Sequence, residues 1–301
     1  MDKPDCILVA TDLSPAAGRA ETRAAMLAQS LGAGRLALLH VVPRLPLEAL
    51  MSIFVERTPP ETERKLIEVA SAELDERASR LGRQFGIKID PEVRVGRAHV
   101  EIAAAADACE AALVVVGGFG ADLVRELFIG ATAEKLLHRS LRPVLVVKQA
   151  PQAPYRRLLV PVDFSASSAR ALDWAQAIAG GAEVTVAHVY EAPYESTLRY
   201  ASVEDRVLEI YQAAARSQAQ ESLRAFLEPR RASGTDFLQR MLHGHPAAGI
   251  RELAEEMRPD LIVMGKRGLG GLEELLLGSV TKHVLSETAC DVLVATERLA
   301  P

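Results

Sequence analysis

Leu261-Ile262-Val263-Met264-Gly265-Lys266-Arg267-Gly268-Leu269-Gly270-Gly271 runs through Leu272 to Leu277 into Gly278-Ser279-Val280. The first four residues are a continuous apolar run, the pattern of a strand covered on both faces. Glycines then recur as G-x2-G-x9-G-S before a segment of helical character. Glycine lets the backbone approach an anion closely, and the free N–H groups and dipole of a helix start favour negative charge there. A buried strand, a glycine loop and a helix start in that order predict an α/β fold with an anion site at the strand's carboxyl end. Neither G-x-x-x-x-G-K-[ST] nor G-x-G-x-x-G after a first strand is present, which counts against a P-loop ATPase and an ordinary dinucleotide-binding domain.

The same pattern occurs earlier. Leu113-Val114-Val115-Val116 leads into Gly117-Gly118-Phe119-Gly120, nine further residues, and Gly130-Ala131-Thr132. His40 and His188, Gly96 and Gly244, Gly117 and Gly265, and Gly130 and Gly278 are each separated by 148 residues. The first strands also correspond: Cys6 to Ser14 contains Asp12 and Ser14 where Leu158 to Ser165 contains Asp163 and Ser165. A repeat this long in a chain of 301 residues predicts two tandem domains, 1–150 and 151–301, joined at Gln149-Ala150-Pro151-Gln152-Ala153-Pro154. In each half the order is strand, helix, strand, long helix, strand, helix, strand, glycine loop, helix, strand. That order predicts a Rossmann-like, doubly wound domain: a five-stranded, mainly parallel sheet with helices on both faces.

Local punctuation fits this order. Ser14-Pro15 reads as an N-cap followed by proline at the first helical position, and Gly180-Gly181 closes the equivalent helix of the second half. Residues 61–85 and 203–227 read as the longest helices, preceded by loops over 43–60 and 192–202. In an open parallel sheet a ligand sits beyond the strands' carboxyl ends where strand order reverses, so Asp163 is expected to face the crevice containing Gly265, Gly268 and Gly278.

Bulk properties narrow the function. The composition, 49% hydrophobic and 25% charged, is that of an ordinary globular protein. A net charge of −5 with no long basic cluster argues against nucleic acid. No apolar run is long enough for a membrane span, and Met1-Asp2-Lys3-Pro4-Asp5 lacks the order of a signal peptide, so a cytoplasmic location is expected. Cys6, Cys109 and Cys290 show no C-x-x-C spacing and read as small buried hydrophobes.

Joined to a first strand ending in Asp, the G-x2-G-x9-G-[ST] signature resembles that of the universal stress protein family in its tandem form, and the likeness covers nearly the whole chain. The resemblance implies that ATP, ADP or AMP binds in the second half, with Mg²⁺ near Asp163. It places Pro161, Asp163 and Val189 near adenine and ribose, Met264 and Gly265 around the sugar, and Gly268, Gly278, Ser279 and Val280 at the phosphates. In the first half it points to Ala10, Asp12, Val41, Val116, Gly117, Gly120, Gly130, Ala131 and Thr132, where Ala131 departs from the pattern by lacking a hydroxyl. It also implies pairing of the two domains through residues 144–147 and 292–295, a pseudo-dimer within one chain, and leaves room for a homodimer and a protein partner.

The leading expectation is an ATP-binding regulatory or stress-response protein with at most slow hydrolysis, since no catalytic base or Walker lysine is evident. The alternative is a nucleotide-independent interaction scaffold; an enzyme of the related nucleotide α-hydrolase group is a third reading, by fold analogy. His40 and His188 read as packing or local hydrogen-bonding residues, and His243 and His245 as structural. Ser165 reads as a helix cap, and Ser167 and Ser168 as exposed. Lys266 and Arg267 read either as phosphate counter-charges or as a solvated basic pair.

Overall fold

The structure, a computed structural model, describes residues 3–44, 59–118, 129–192, 194–201, 204–231, 236–268 and 277–296. The chain divides into two compact units that part between Pro154 and Tyr155. In the first unit, β1 (Cys6–Thr11), α1 (Ala17–Leu31), β2 (Arg35–Pro43), α2 (Pro59–Phe85), β3 (Ile89–Gly96), α3 (Ala98–Ala108), β4 (Leu113–Gly117), α4 (Ala131–Arg139) and β5 (Val144–Val147) follow in turn. The second unit contains β6 (Arg157–Pro161), α5 (Ala166–Ala179), β7 (Glu183–Tyr190), α6 (Glu195–Tyr200), α7 (Asp205–Arg231), β8 (Leu238–His243), α8 (Pro246–Met257), β9 (Leu261–Gly265), α9 (Ser279–Glu287) and β10 (Asp291–Ala295).

Strand order is β3-β2-β1-β4-β5 in the first unit and β8-β7-β6-β9-β10 in the second. The pairings within each unit are parallel. The path from β1 to β3 steps one way across the sheet, and the path from β3 to β5 returns to the other side of β1. Because such crossovers are right-handed, α1 and α2 cover one face and α3 and α4 the other. Accordingly α1 touches α2, and α3 touches α4. Strand order reverses between β1 and β4, and between β6 and β9. This is the doubly wound, two-domain α/β architecture that the repeat predicts.

The central strands explain the continuous apolar runs. Ile7, Leu8 and Val9 of β1, Val114 and Val115 of β4, and Leu158 to Val160 of β6 are at most 1% exposed. Each such Leu, Val or Ile contributes about 1.5–3 kcal/mol by leaving water. The outer strand β3 is partly exposed and includes Pro91, whose missing N–H an edge tolerates. Asp291, wholly buried at the start of β10, accepts a hydrogen bond from the Tyr155 hydroxyl at 2.7 Å. Among the described residues no helix is long and apolar enough to cross a membrane.

Several boundaries differ from the sequence reading. Leu13 adopts φ 63°, and the turn it starts delays α1 to Ala17, although the Ser14 hydroxyl still accepts the Ala17 N–H at 3.1 Å. Pro43 ends β2 instead of opening a loop, and α6 occupies part of 192–202. The helix read as ending at 227 continues as α7 through Pro229 to Arg231. There Arg230 binds Asp173 at 2.8 Å and the Ala169 carbonyl at 3.0 Å, and lies over the Phe226 ring, so tertiary contacts hold the last turn. Gly180, at φ 49°, caps α5 as expected.

Candidate functional site

The site of the second unit grows from the ends of β6 and β9. Beyond Pro161, the Val162 N–H still reaches the Ala187 carbonyl at 2.8 Å, after which Phe164, at φ 67°, turns the chain into α5. Ser165 is the N-cap: its hydroxyl accepts the Ser168 N–H at 3.2 Å and donates to Asp163 Oδ1 at 2.6 Å. The Ser165 N–H donates to the same oxygen at 3.1 Å. One carboxylate oxygen is thereby fixed by its own turn, and the other lies against Gly268, where any Cβ would collide with it.

On the β9 side, Gly265 is buried against the start of α5, and a Cβ there would sit 2.6 Å from Ser167 Cβ. The loop returns at Gly278, whose N–H donates to the Lys266 carbonyl at 3.0 Å while the Thr281 hydroxyl donates to the Gly265 carbonyl at 3.0 Å. Gly278 then caps α9 without a side-chain cap, so the first N–H groups of the helix, from Ser279 onward, are left to a partner outside it. The Lys282 N–H makes the first helical bond, to Gly278.

These elements enclose a cavity of about 500 Å³, a size suited to a small organic ligand. Pro161, Asp163, Val189, Met264, Gly265, Gly268, Gly278, Ser279 and Val280 all line it, so the structure brings together the whole second-half set. In a parallel strand alternate residues address the same neighbour. Ala187 pairs with β6, so Val189 turns its peptide groups to that same side, just past the end of β6. Its opposite neighbour is β8, where its register partner is Leu242. Ser168, Ala187, Pro246, Ile250, Arg267, Leu277 and Thr281 also line the cavity. Pro246 and Ile250 are brought in on α8 by the crossover from β8, and the others sit on the elements that carry the motif or on β7 beside it.

Arg267 faces the cavity, and its buried Nε has no hydrogen-bond partner among the described residues. With the glycine cradle and the helix-start donors, that is a donor set fitted to a phosphate. Lys266 is not part of it: the residue is 3% exposed and is not among the lining residues, so the pair is neither solvated nor jointly directed at the site. Burial, with Arg267 beside it, lowers the Lys266 ammonium from 10.5 to about 8. Because the folded value is the lower one, the unfolded chain holds the extra proton between those values, and stability rises with pH through that window. Lys266→Met is expected to remove this rise, so that any advantage of the variant shrinks by about 1–3 kcal/mol between pH 7 and pH 10. Urea denaturation of both proteins at each pH measures it, and parallel profiles would refute the assignment.

The first unit repeats the backbone. The Gly130 N–H donates to the Gly118 carbonyl at 2.8 Å, the Glu134 N–H to Gly130 at 3.0 Å, and the Ser14 N–H to Asp12 Oδ1 at 3.0 Å. Gly130 (φ −61°, ψ 145°) matches Gly278 (φ −60°, ψ 149°). Val116 is buried at the end of β4, Gly117 closes that strand, and Val41 lies on β2 opposite Arg94. Ala131 and Thr132 are exposed at the start of α4. Gly120 lies outside the described residues. The sequence reading missed Glu134, an acid in the first turn of α4 where α9 has Lys282.

The other conspicuous residues are structural. His40 and His188 each hydrogen-bond a carbonyl through Nδ1, Thr11 at 2.9 Å and Val162 at 2.8 Å, which makes Nδ1 the protonated nitrogen. His243 meets Glu195 at 2.8 Å, and His245 caps α8. Ser167 and Ser168 are buried, contrary to the sequence reading, because α5 packs directly on Gly265.

Comparison with known proteins gives a consistent picture. The model of the universal stress protein family matches twice, at residues 5–148 and 154–296. A universal stress protein of Mycolicibacterium smegmatis is 27% identical over 304 residues, covering 97% of each chain. A single-domain-length relative of Thermus aquaticus is 35% identical over 142 residues, covering 46% of this chain and 98% of its own. The crystal structure of a universal stress protein from Archaeoglobus fulgidus covers 98% of this chain and 100% of its own at a TM-score of 0.73 and 21% identity, a likeness of fold.

Proposed function

We propose, from the premise that the chain belongs to the universal stress protein family, that its second half is an adenine-nucleotide site with a regulatory role. The observation that carries this reading is the convergence, on one cavity at the strand-order reversal, of an apolar slot, a fixed carboxylate and a helix-start phosphate cradle. The base lies between Pro161 and Val189, where the peptide groups of Val189 can read its edge. Asp163 serves the ribose, and Met264 and Gly265 close around the sugar. Gly268, Gly278, Ser279, Val280 and Arg267 hold the phosphates. Mg²⁺, when bound with the nucleotide, would neutralise phosphate charge, and Asp163, the carboxylate among the described lining residues, would be its protein partner.

Turnover is slow in this reading. Among the described lining residues, Asp163 is the single carboxylate, and Ser165 already occupies one of its oxygens. Among the described lining residues no lysine or histidine is present to act as a base. The first half retains the turn but lacks the serine hydroxyl and places Glu134 near the anion position, so it serves as the nucleotide-independent partner of the pair.

Freshly purified protein, denatured and chromatographed, is expected to release about one adenine nucleotide per chain, and emptied protein to gain thermal stability with ATP and Mg²⁺ by mass action. Neither release nor a thermal shift would transfer support to an interaction scaffold.

A further inference from the structure

Cys6 and Cys109 are 103 positions apart, yet the fold brings them to one junction. Cys6 opens β1 and is 1% exposed; Cys109 caps the C-terminal end of α3 and is partly exposed. The turn after α3 is pinned by the Ala111 N–H on Ala106 at 2.8 Å and by Glu110 at φ 50°. It closes on the start of β1 through the Ala112 N–H, which donates to the Cys6 carbonyl at 2.9 Å. The two thiols are near enough to interact electrostatically, and each S–H donates to a backbone carbonyl, Cys6 to Ile7 at 3.7 Å and Cys109 to Ala106 at 3.8 Å.

The second unit supplies an internal comparison. There the Asp260 N–H donates to the Arg157 carbonyl at 2.9 Å, and Arg258 adopts φ 47°. The backbone junction is the same, but Met257 and Arg157 stand where the first unit has its thiols, and Asp260 holds the junction through the N–H groups of Arg156 and Arg157. The backbone does not require cysteine at these places.

We infer that Cys6 and Cys109 are a modification site, forming a reversible intramolecular disulfide when the protein meets a hydroperoxide. Interaction with the Cys6 thiol and with the Arg35 guanidinium lowers the Cys109 thiol to about 7, whereas interaction with Cys109 and burial push the Cys6 thiol up. Cys109 is therefore the attacking thiolate and Cys6 the resolving thiol. The Cys109 sulfur attacks one peroxide oxygen and the O–O bond breaks, giving the sulfenic acid and, after proton uptake, water from hydrogen peroxide. The Cys6 sulfur then attacks the sulfenic sulfur, and the S–O bond breaks with release of a second water. In balance, two thiols and one hydrogen peroxide give one disulfide and two waters; the thiols lose two electrons and the peroxide gains them. To form the roughly 2.05 Å bond, the two sulfurs turn from the Ile7 and Ala106 carbonyls toward each other across the junction that the Ala112 N–H closes.

The test uses the reduced full-length protein, hydrogen peroxide in small excess, alkylation and peptide mass mapping. A Cys6–Cys109 linked peptide is expected, reversible by dithiothreitol, with Cys290 still alkylated. Before oxidation, Cys109 is expected to react with iodoacetamide at pH 7 about three- to sixfold faster than an ordinary cysteine, its larger thiolate fraction being partly offset by lower nucleophilicity. In Cys6→Ser, dimedone is expected to trap sulfenic acid at Cys109. Should that variant fail to fold, Cys109→Ser, altered at the more exposed position and checked by circular dichroism, is expected to keep Cys6 reduced at the same dose. Both thiols remaining alkylatable in oxidised wild type, a disulfide linking separate chains, or Cys6 oxidised without Cys109 would each overturn the inference.

Discussion

Gly278→Asp is expected to leave the protein folded and to empty its second-half site. At φ −60° and ψ 149° this position is open to any residue, and a Cβ would find its nearest neighbour, the Lys266 carbonyl, at 3.4 Å. The new carboxylate would meet the N–H groups that otherwise receive phosphate, so it caps α9 while repelling the ligand. Affinity for ATP is expected to fall at least about 100-fold, or roughly 3 kcal/mol. Isothermal calorimetry on emptied protein, with chromatography of the denatured variant, reads both aspects. A variant that binds as the wild type does would remove the phosphate cradle from the proposed function, whereas one that unfolds would contradict the steric reading of Gly278. Gly278→Ala, which adds bulk without charge, is expected to bind far better than the aspartate variant.

Gly265→Ala carries the largest expected effect on stability. A methyl group there would lie 2.6 Å from Ser167 Cβ and 2.9 Å from the Ser167 carbonyl carbon, and neither α5 nor β9 has a flexible side chain at the contact to give way. Overpacking of this kind is expected to cost about 2–3 kcal/mol, read as an earlier urea midpoint for the second unit. Ser167→Gly in the same background removes the worst contact and is expected to recover part of the loss. No destabilisation would mean that α5 does not rest on Gly265. The two glycines thus differ in kind: one leaves room for a ligand, and the other leaves room for a helix.

Much of this was legible because the relevant signals are local or repeated. The constant spacing from His40 and His188 to Gly130 and Gly278 exposed the duplication, and the apolar runs at residues 113–116 and 261–264 exposed buried parallel strands. All nine second-half positions named from the glycine pattern and the family resemblance line one cavity. Pro246 and Ile250 were not legible as its wall, because only the crossover into α8 decides which way they face, and Arg267 was one of two basic candidates until the burial of Lys266 told them apart. Ser167 and Ser168 looked like surface residues because their burial depends on a glycine about 100 positions away. The thiol pair was invisible for the same reason: nothing near Cys6 in the sequence points to Cys109. Residues that carry a backbone requirement announce themselves, while those recruited by long-range packing do not.

The matching turns at Gly130 and Gly278 also speak to descent. The two halves share the shape of the loop entry to within a few degrees while the residues decorating it differ. Under the proposed function, the first half keeps the backbone of the site without the side chains that serve the ligand. Ala131 to serine and Glu134 to lysine are each reachable by one base change in the genetic code, so the two copies stand only a short mutational walk apart at the helix start. At these two positions of the helix start, the halves differ by single heritable steps, whereas Phe119 opposite Arg267 is a longer one.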